Sequence, residues 1–216
     1  MYIRYKIVKS VTCMKKGIFP SCYNPPISFF YYLLQHQEVI IDLHENFVKQ
    51  TYRNRCQILS PNGLQNLSIP IVKVKSKRET IKTAIAYIEK WQKMHWRSLE
   101  AAYRSSPYFE YYEDLFYPVF MERKYEFLYE LNQELLLLLI KTIGIETKIT
   151  FSENYLKIYD NAIDYRDKMS SKQPFSLNFE KYIQVFSDRH EFIPNLSILD
   201  LLFNEGPNTI NYLRRN

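Results

Sequence analysis

The sequence predicts an α/β fold, in which a small mixed sheet from the N-terminal half is packed by helices that dominate the C-terminal half. Three observations lead to this prediction. Apolar, strand-like runs flank a helix-like segment within the first 60 residues. The spacing of apolar residues becomes helical from Trp91 onward. With 216 residues, 46% of them hydrophobic, the chain is long enough to bury a core and too apolar to be disordered.

The first predicted elements are a strand, a proline-rich loop, a helix and a second strand. Ile18–Cys22 is apolar, and the prolines at positions 20, 25 and 26 require this strand to end in a rigid loop. Pro26 suits the first turn of a helix, which we predict over Ile27–His36. Val39–Leu43 is β-branched and apolar, as in a buried strand. This order of elements is typical of an α/β fold.

A hairpin is predicted next along the chain. Cys56–Leu59 fits a strand, Ser60–Gly63 a tight turn and Leu67–Val74 the return strand. Thr83–Ile88 fits either a short strand or the opening turn of a helix, and the sequence leaves both alternatives open.

Helical periodicity governs the following segments. Apolar residues recur at spacings of three and four from Trp91 until Pro107 interrupts them, and Phe109–Met121 resumes the pattern. Lys124–Ile143 is apolar on almost every face. This predicts a central buried helix, ended by Gly144 just beyond its last turn.

Three segments complete the predicted fold. Lys148–Phe151 alternates as a strand does, and the polar stretch Asp164–Ser176 is the clearest loop. Phe192–Phe203 is an apolar segment in which Ser197 stands where the N-cap of a helix would.

The ends of the chain and its cysteines bear on organisation and location. We predict a disordered leader over residues 1–13, because Met14 offers a second start, and one domain over residues 14–216. The leader lacks the continuous apolar segment of a secretory signal, and Leu131–Ile143 is shorter than the ~20 residues of a membrane span. Three cysteines without a C-x-x-C pair favour a reducing compartment. We therefore expect a cytoplasmic protein without a membrane span.

The net charge and the glycine content limit the classes of ligand that the chain can bind. Twenty-nine Lys and Arg against 23 Asp and Glu give a net charge of +6. The longest basic run, Lys75–Arg78, is short, which argues against dedicated nucleic-acid binding and leaves an anionic small molecule as the expected partner. The four glycines cannot form G-x-G-x-x-G or a P-loop. Side-chain cations must therefore hold any phosphate.

The most distinctive segment is Lys49–Arg55, between two predicted strands. It carries the cations Lys49, Arg53 and Arg55 and the amide of Asn54. Arginine offers a planar fork to carboxylate or phosphate, and lysine offers a point charge. If these side chains face one side, they form an anion site without glycine. The alternative is a solvated connector that holds its own backbone.

His95 and Asp200 are the candidates for catalysis. His95, on a predicted helix, could act as a general base near neutral pH, or it could pack on a core tryptophan. Asp200 lies among leucines and isoleucine, so it must meet a ligand, backbone amides or an arginine, with a structural salt bridge favoured. No histidine has metal-ligand spacing to a Cys or Asp cluster, so no metal site is predicted, and the sequence leaves the cofactor unknown.

Several segments resemble the WbqC-like protein family. The resemblance runs from about Gly17 to the C-terminus, and its longest motifs are K-Q-T-Y-R-N-R at 49–55, H-W-R-S-L at 95–99 and P-N-L-S-I-L-D-L-L-F-N at 194–204. It implies a transferase role in O-antigen or other surface-polysaccharide biosynthesis, with glycine or another aminoacyl group transferred to a sugar. Many members carry His-Gln-Pro before the first helix, where this chain has Cys22–Pro25.

The resemblance also implies a set of site residues. The family pattern falls on Lys49, Asn54, Arg55, His95, Tyr103, Ser197 and Asp200. We assign His95 and Asp200 to catalysis and the others to substrate binding, together with Arg53, Tyr23 and Tyr52 from the matching segments. The cations would bind the diphosphate or carboxylate of a nucleotide-sugar or ATP, and the tyrosines would stack on sugar or base. We expect Lys49, Arg55, His95 and Asp200 to converge on one cleft.

Two further ideas follow. The order strand, proline-rich loop, helix, strand is also that of nucleotidyltransferase-like folds, in which the loop after the first strand meets the nucleotide phosphates. The alternative to a transferase is a non-catalytic binding or scaffold protein of a glycan-assembly complex. The lack of a recognisable nucleophile or metal set favours that alternative.

Overall fold

The structure is a computed structural model that describes residues 15–73, 78–169 and 177–215. The predicted leader over residues 1–13 lies outside the described residues. So do most of the basic run Lys75–Arg78 and the second half of the predicted loop Asp164–Ser176. The strands are β1 (Lys16–Pro20), β2 (Glu38–Asp42), β3 (Arg55–Ser60), β4 (Gly63–Ser68), β5 (Lys148–Phe151) and β6 (Ala162–Asp164). The helices are α1 (Ile27–Leu33), α2 (Trp91–Tyr103), α3 (Phe109–Tyr117), α4 (Leu128–Ile143), α5 (Ile198–Glu205) and α6 (Thr209–Arg215).

The predicted α/β class is confirmed, and its main sheet is parallel throughout. Its strand order is β5-β2-β1-β6, and a separate antiparallel hairpin is formed by β3 and β4. The central strand β1 is apolar on both faces, because the adjacent residues Ile18 and Phe19 point to opposite faces and both are fully buried, as a sheet covered on both sides requires. The two outer strands come from the second half of the chain. Because they pair with β2 and β1 from the first half, the sheet depends on contacts between distant parts of the sequence.

The predicted hairpin is present, but its return strand is Gly63–Ser68 and so begins four residues before the predicted start at Leu67. Gly63, at a positive φ of 95°, closes the turn, and Cys56 pairs with Leu67. The return strand stops at Ser68 because Pro70 has no N–H to continue the ladder. Beyond it, an isolated bridge joins Ile71 to Ile85, which places the predicted segment Thr83–Ile88 in extended rather than helical backbone.

Helix α4 is the central helix that its sequence predicts. Leucines 131, 135 and 139 are buried along it, and Gly144 ends it at a positive φ of 79°. It begins at Leu128 rather than Lys124, since the Glu130 carboxylate accepts the N–H of Phe127 at 2.9 Å and fixes the N-terminus there. The predicted N-cap at Ser197 is also confirmed, because its Oγ accepts the N–H of Leu199 at the start of α5.

Candidate functional site

The carboxyl ends of the parallel strands form the edge where ligands bind in open α/β sheets. A cleft of about 380 Å³ lies at this edge. The residues that line it lie after β2, after β5, and at and after the end of β6. Strands β2 and β6 are the two neighbours of β1, beside which the order of strands along the chain reverses. Its charged lining residues are Glu45, Arg53, Lys157, Asp164, Arg166 and Asp167.

Asp42, the last residue of β2, organises the floor of this edge. Its side chain is 0% exposed. Its Oδ1 accepts hydrogen bonds from the N–H groups of His44 (2.9 Å) and Glu45 (3.2 Å) and from the hydroxyl of Ser152 (3.1 Å). Its Oδ2 accepts a hydrogen bond from Nη1 of Arg166 at 2.7 Å. One carboxylate therefore joins the ends of β2, β5 and β6.

Arg166 lies just after β6 and is held on several sides. Its Nη2 donates to Asp164 at 2.5 Å, and its guanidinium also donates to the carbonyl oxygens of Leu156 (2.9 Å) and Lys157 (3.1 Å). The hydrogen bonds to Asp164, and then those to Asp42, raise the pKa of Arg166 above its ordinary value. Arg166 therefore stays charged, and it anchors the segment that leads from β5 to β6.

Arg53 and Glu45 form a second ion pair in the cleft. Nε and Nη2 of Arg53 donate to the two carboxylate oxygens at 2.7 and 2.6 Å, and both side chains are buried. Burial acts to lower the pKa of Arg53, but its bonds to Glu45 outweigh this effect and raise it. The amide of Asn132 donates to the carbonyl of Arg53 (2.9 Å) and to the hydroxyl of Ser21 (3.1 Å), which ties this loop to the end of β1.

The predicted site residues within Lys49–Arg55 lie in different environments. Lys49 is exposed and follows Val48, which lines the cleft, whereas Arg53 is paired with Glu45. Asn54 donates its amide to the carbonyl of Ile69 at 2.9 Å, and Nε of Arg55 donates to Ser68 Oγ at 3.0 Å on the hairpin. The contacts of Asn54 and Arg55 are those of the alternative, a connector that holds its own backbone.

Tyr23 and His95 are brought together by the fold. The hydroxyl of Tyr23 lies 2.9 Å from Nδ1 of His95, and the ring of Trp91 packs on the same imidazole at 5.2 Å between centroids. His95 is buried, and this burial lowers its pKa to about 4. The imidazole is therefore neutral near pH 7, packed among aromatic rings rather than facing the cleft.

Tyr103 and Asp200 form a second buried group. Oδ2 of Asp200 accepts hydrogen bonds from the hydroxyl of Tyr182 at 2.5 Å and from the amide of Gln184 at 3.1 Å. Tyr103 is close enough that burial and the nearby Asp200 carboxylate raise its pKa. Burial likewise raises the pKa of Asp200. The sequence favoured a salt bridge for Asp200. Within the described ranges Asp200 has no ion pair, and its partners are instead the hydroxyl of Tyr182 and the amide of Gln184.

The loop after β1 is covered by residues near the C-terminus. Asn24 accepts a hydrogen bond from the hydroxyl of Ser197 at 3.1 Å. The N–H of Ile27 donates to the carbonyl of Leu196 at 3.0 Å, and the N–H of Ser28 donates to Oδ1 of Asn195 at 2.8 Å. Buried in this way, the loop has little surface for the nucleotide phosphates that the nucleotidyltransferase analogy places there.

The remaining predicted tyrosine, Tyr52, is also buried and accepts the N–H of Tyr23 at its carbonyl, at 2.8 Å. Tyr23, Tyr52 and Tyr103 are 0%, 7% and 0% exposed. Four of the predicted residues thus form the buried pairs Tyr23–His95 and Tyr103–Asp200. Lys49 is exposed next to the lining residue Val48, and Arg55 lies on the hairpin. The fold does not bring Lys49, Arg55, His95 and Asp200 into the cleft at the sheet edge.

Six residues that line the cleft were not among the predicted site residues: Glu45, Tyr155, Lys157, Asp164, Arg166 and Asp167. One signal was available. Asp42 and Asp164 each end a strand, and the carboxyl ends of parallel strands meet at one edge. Recognising it required the knowledge that Ala162–Asp164, a three-residue strand, pairs with β1.

The low pKa of His95 predicts a specific dependence of stability on pH. Its pKa of about 4 in the folded state lies below the ordinary value of 6.5, so the unfolded chain binds the proton more tightly. Above pH 6.5 the His95 imidazole is neutral in both states and the free energy of unfolding keeps its full value. Between pH 6.5 and pH 4 the free energy of unfolding falls as the pH falls, by up to about 1.4 kcal/mol per pH unit. Urea unfolding from pH 7 to pH 4 measures it.

In that experiment His95→Gln should flatten the dependence, and His190→Gln, at a more exposed histidine, serves as the matched control. A His95→Gln variant with the wild-type slope would contradict the assignment.

The structure is that of a parallel α/β protein with a cleft at the carboxyl edge of its main sheet. The sequence profile of the WbqC-like protein family matches residues 21–172 and 162–212, and the chain belongs to this family. It is 29% identical over 230 aligned residues to the uncharacterized protein Rv1507c of Mycobacterium tuberculosis (strain ATCC 25618 / H37Rv), an alignment that covers 93% of this chain and 98% of that protein. No solved structure matches the chain.

Two observations concern the described residues alone. None of their helices is both long and apolar enough to cross a membrane. They also contain no group of three or more His, Cys, Asp or Glu side chains arranged to hold a metal ion.

Proposed function

We propose that this protein is a cytoplasmic transferase of O-antigen or other surface-polysaccharide biosynthesis, and that its substrate binds in the cleft at the carboxyl edge of the sheet. The position of that cleft carries the proposal. It lies where the strand order reverses, which is where open α/β folds bind their ligands. Membership of the WbqC-like family supports the polysaccharide pathway.

The charges of the cleft support a ligand with an anionic part. Two of its arginines are already paired with carboxylates, Arg53 with Glu45 and Arg166 with Asp42. Lys157 lines the cleft, and Lys49 is exposed next to the lining residue Val48. Within the described ranges neither lysine forms an ion pair. These two ammonium groups are the ones we assign to the diphosphate or triphosphate of a nucleotide-sugar or ATP.

Asp167 gives the cleft a carboxylate as well. It lines the cleft near Arg53, and its charge contributes to the raised pKa of that arginine. A carboxylate in this position suits a ligand that carries an ammonium group, as a glycyl or other aminoacyl group does. The mixed charge of the cleft therefore supports aminoacyl transfer as the reaction.

A covalent cysteine intermediate is not part of this proposal. Cys22 is buried, and it is close enough to Arg53 for the arginine charge to act on its pKa. Burial nevertheless raises its pKa to about 12, so it is a thiol rather than a thiolate near pH 7. Cys22 is therefore not the nucleophile of the proposed transfer.

Calorimetric titration of the purified protein tests the binding site. Wild type is expected to bind at least one nucleotide from a panel of ATP, UDP, ADP, GDP and their nucleotide-sugars. Lys157→Ala and Lys49→Ala should each weaken that binding about tenfold, the equivalent of one charge-assisted contact. Lys93→Ala, at an exposed lysine of α2, is the control and should leave the affinity unchanged.

If wild type binds no member of the panel, the transferase proposal fails. The scaffold alternative then predicts a stable protein partner of the glycan-assembly complex that co-purifies with the chain.

A further inference from the structure

Tyr155 is the aromatic residue that the cleft presents to solvent. It belongs to the segment between β5 and β6, lines the cleft, and is 50% exposed. The three tyrosines that the sequence assigned to ring stacking are buried, so none of them offers a face to a ligand. The stacking surface at this site, if the ligand has a ring, is therefore Tyr155.

The ring of Tyr155 is held in place from one side. The Arg166 guanidinium carbon lies 5.5 Å from the centroid of Tyr155 and 5.4 Å from that of Tyr159. Arg166 itself cannot move freely, since it donates to Asp42, to Asp164 and to the carbonyls of Leu156 and Lys157. Two of these bonds fix the backbone directly after Tyr155.

A preorganised ring has a direct consequence for binding. Ordering a mobile aromatic side chain costs free energy when a ligand arrives, and a ring already stacked on a fixed arginine avoids most of that cost. Lys157, two residues further on, lines the same cleft and is exposed. An aromatic platform next to an ammonium group matches a molecule with a planar base and a phosphate chain.

We propose that Tyr155 is the positioning residue on which the nucleobase of a nucleoside diphosphate or triphosphate stacks, with the phosphates directed toward Lys157. This inference rests on the proposed function, because it assigns the base within the same cleft. It replaces Tyr23, Tyr52 and Tyr103 as the residues that stack on the ligand.

The test compares a ligand that has a base with one that has only the phosphates. Calorimetry measures the affinity of wild type, Tyr155→Ala and Tyr155→Phe for the tightest binder of the panel of ATP, UDP, ADP, GDP and their nucleotide-sugars, and for inorganic pyrophosphate. Base stacking on an aromatic side chain predicts a loss of about tenfold or more for the nucleotide in Tyr155→Ala. Pyrophosphate affinity should stay unchanged, and Tyr155→Phe should bind the nucleotide within about twofold of wild type.

Tyr111→Ala removes a tyrosine that is 74% exposed on α3, and it should change neither affinity. The inference is overturned alone if wild type binds a nucleotide and Tyr155→Ala binds it equally well. It is also overturned if Tyr155→Ala weakens nucleotide and pyrophosphate to the same extent, because the ring would then act through Arg166 rather than by stacking. If wild type binds no member of that panel, the proposed function and this inference fail together.

Discussion

Asp42→Ala is expected to lower the free energy of unfolding by about 3–5 kcal/mol, the effect of breaking a buried ion pair by removing one partner. Arg166 would lose an acceptor at 2.7 Å. The N–H groups of His44 and Glu45 and the hydroxyl of Ser152 would lose theirs in the same step. Buried donors without acceptors each cost free energy, which is why the loss should exceed that of an ordinary surface substitution. Urea unfolding followed by circular dichroism measures it.

Asp164→Ala is the matched control, because it removes the other carboxylate that binds the same arginine. Asp164 has 46% of its side chain exposed, and ion pairs open to solvent contribute about 0–1 kcal/mol. A loss in Asp164→Ala as large as that in Asp42→Ala would show that the arginine, rather than the carboxylate at the end of β2, is the centre of this network.

Asp200→Ala is expected to cost about 2–4 kcal/mol. The hydroxyl of Tyr182 and the amide of Gln184 would lose their shared acceptor in a fully buried place, and a small cavity would remain. Thermal and urea unfolding at pH 7 give the value.

Asp200→Asn separates the role of the shape from that of the charge. Burial raises the pKa of Asp200, so the folded state disfavours the ionised form, and stability falls as the pH rises from the ordinary value toward the raised one. Asparagine keeps an acceptor for Tyr182 and removes the charge. It should therefore be as stable as wild type at pH 7 to within about 1 kcal/mol, and a loss equal to that of alanine would contradict this account.

Local features were predictable from the sequence. The apolar, β-branched runs gave β1 and β2 to within about two residues, and Gly144 and Ser197 fixed two helix ends because each acts through its own neighbours. The helical periodicity gave α2 and α4 in the same way. Such features depend on residues three or four positions apart, which a single sequence displays.

The cleft was not predictable because its contacts are long-range. Asp42 and Arg166 are 124 positions apart, and Arg53 and Asn132 are 79 apart. The segment Lys49–Arg55 shows the same difficulty. A run of cations reveals where charge lies along the chain, but it does not reveal that Arg53 already has Glu45 as its partner.

The cover over the loop after β1 has a consequence for the timing of folding. The start of α1 relies on Asn195, Leu196 and Ser197 for its hydrogen-bond partners, about 170 positions later in the chain. During synthesis, the first strand and helix leave the ribosome long before those residues exist. The hydrogen bonds that cover this loop therefore cannot form until residues 195–197 have been made, which places them late in folding.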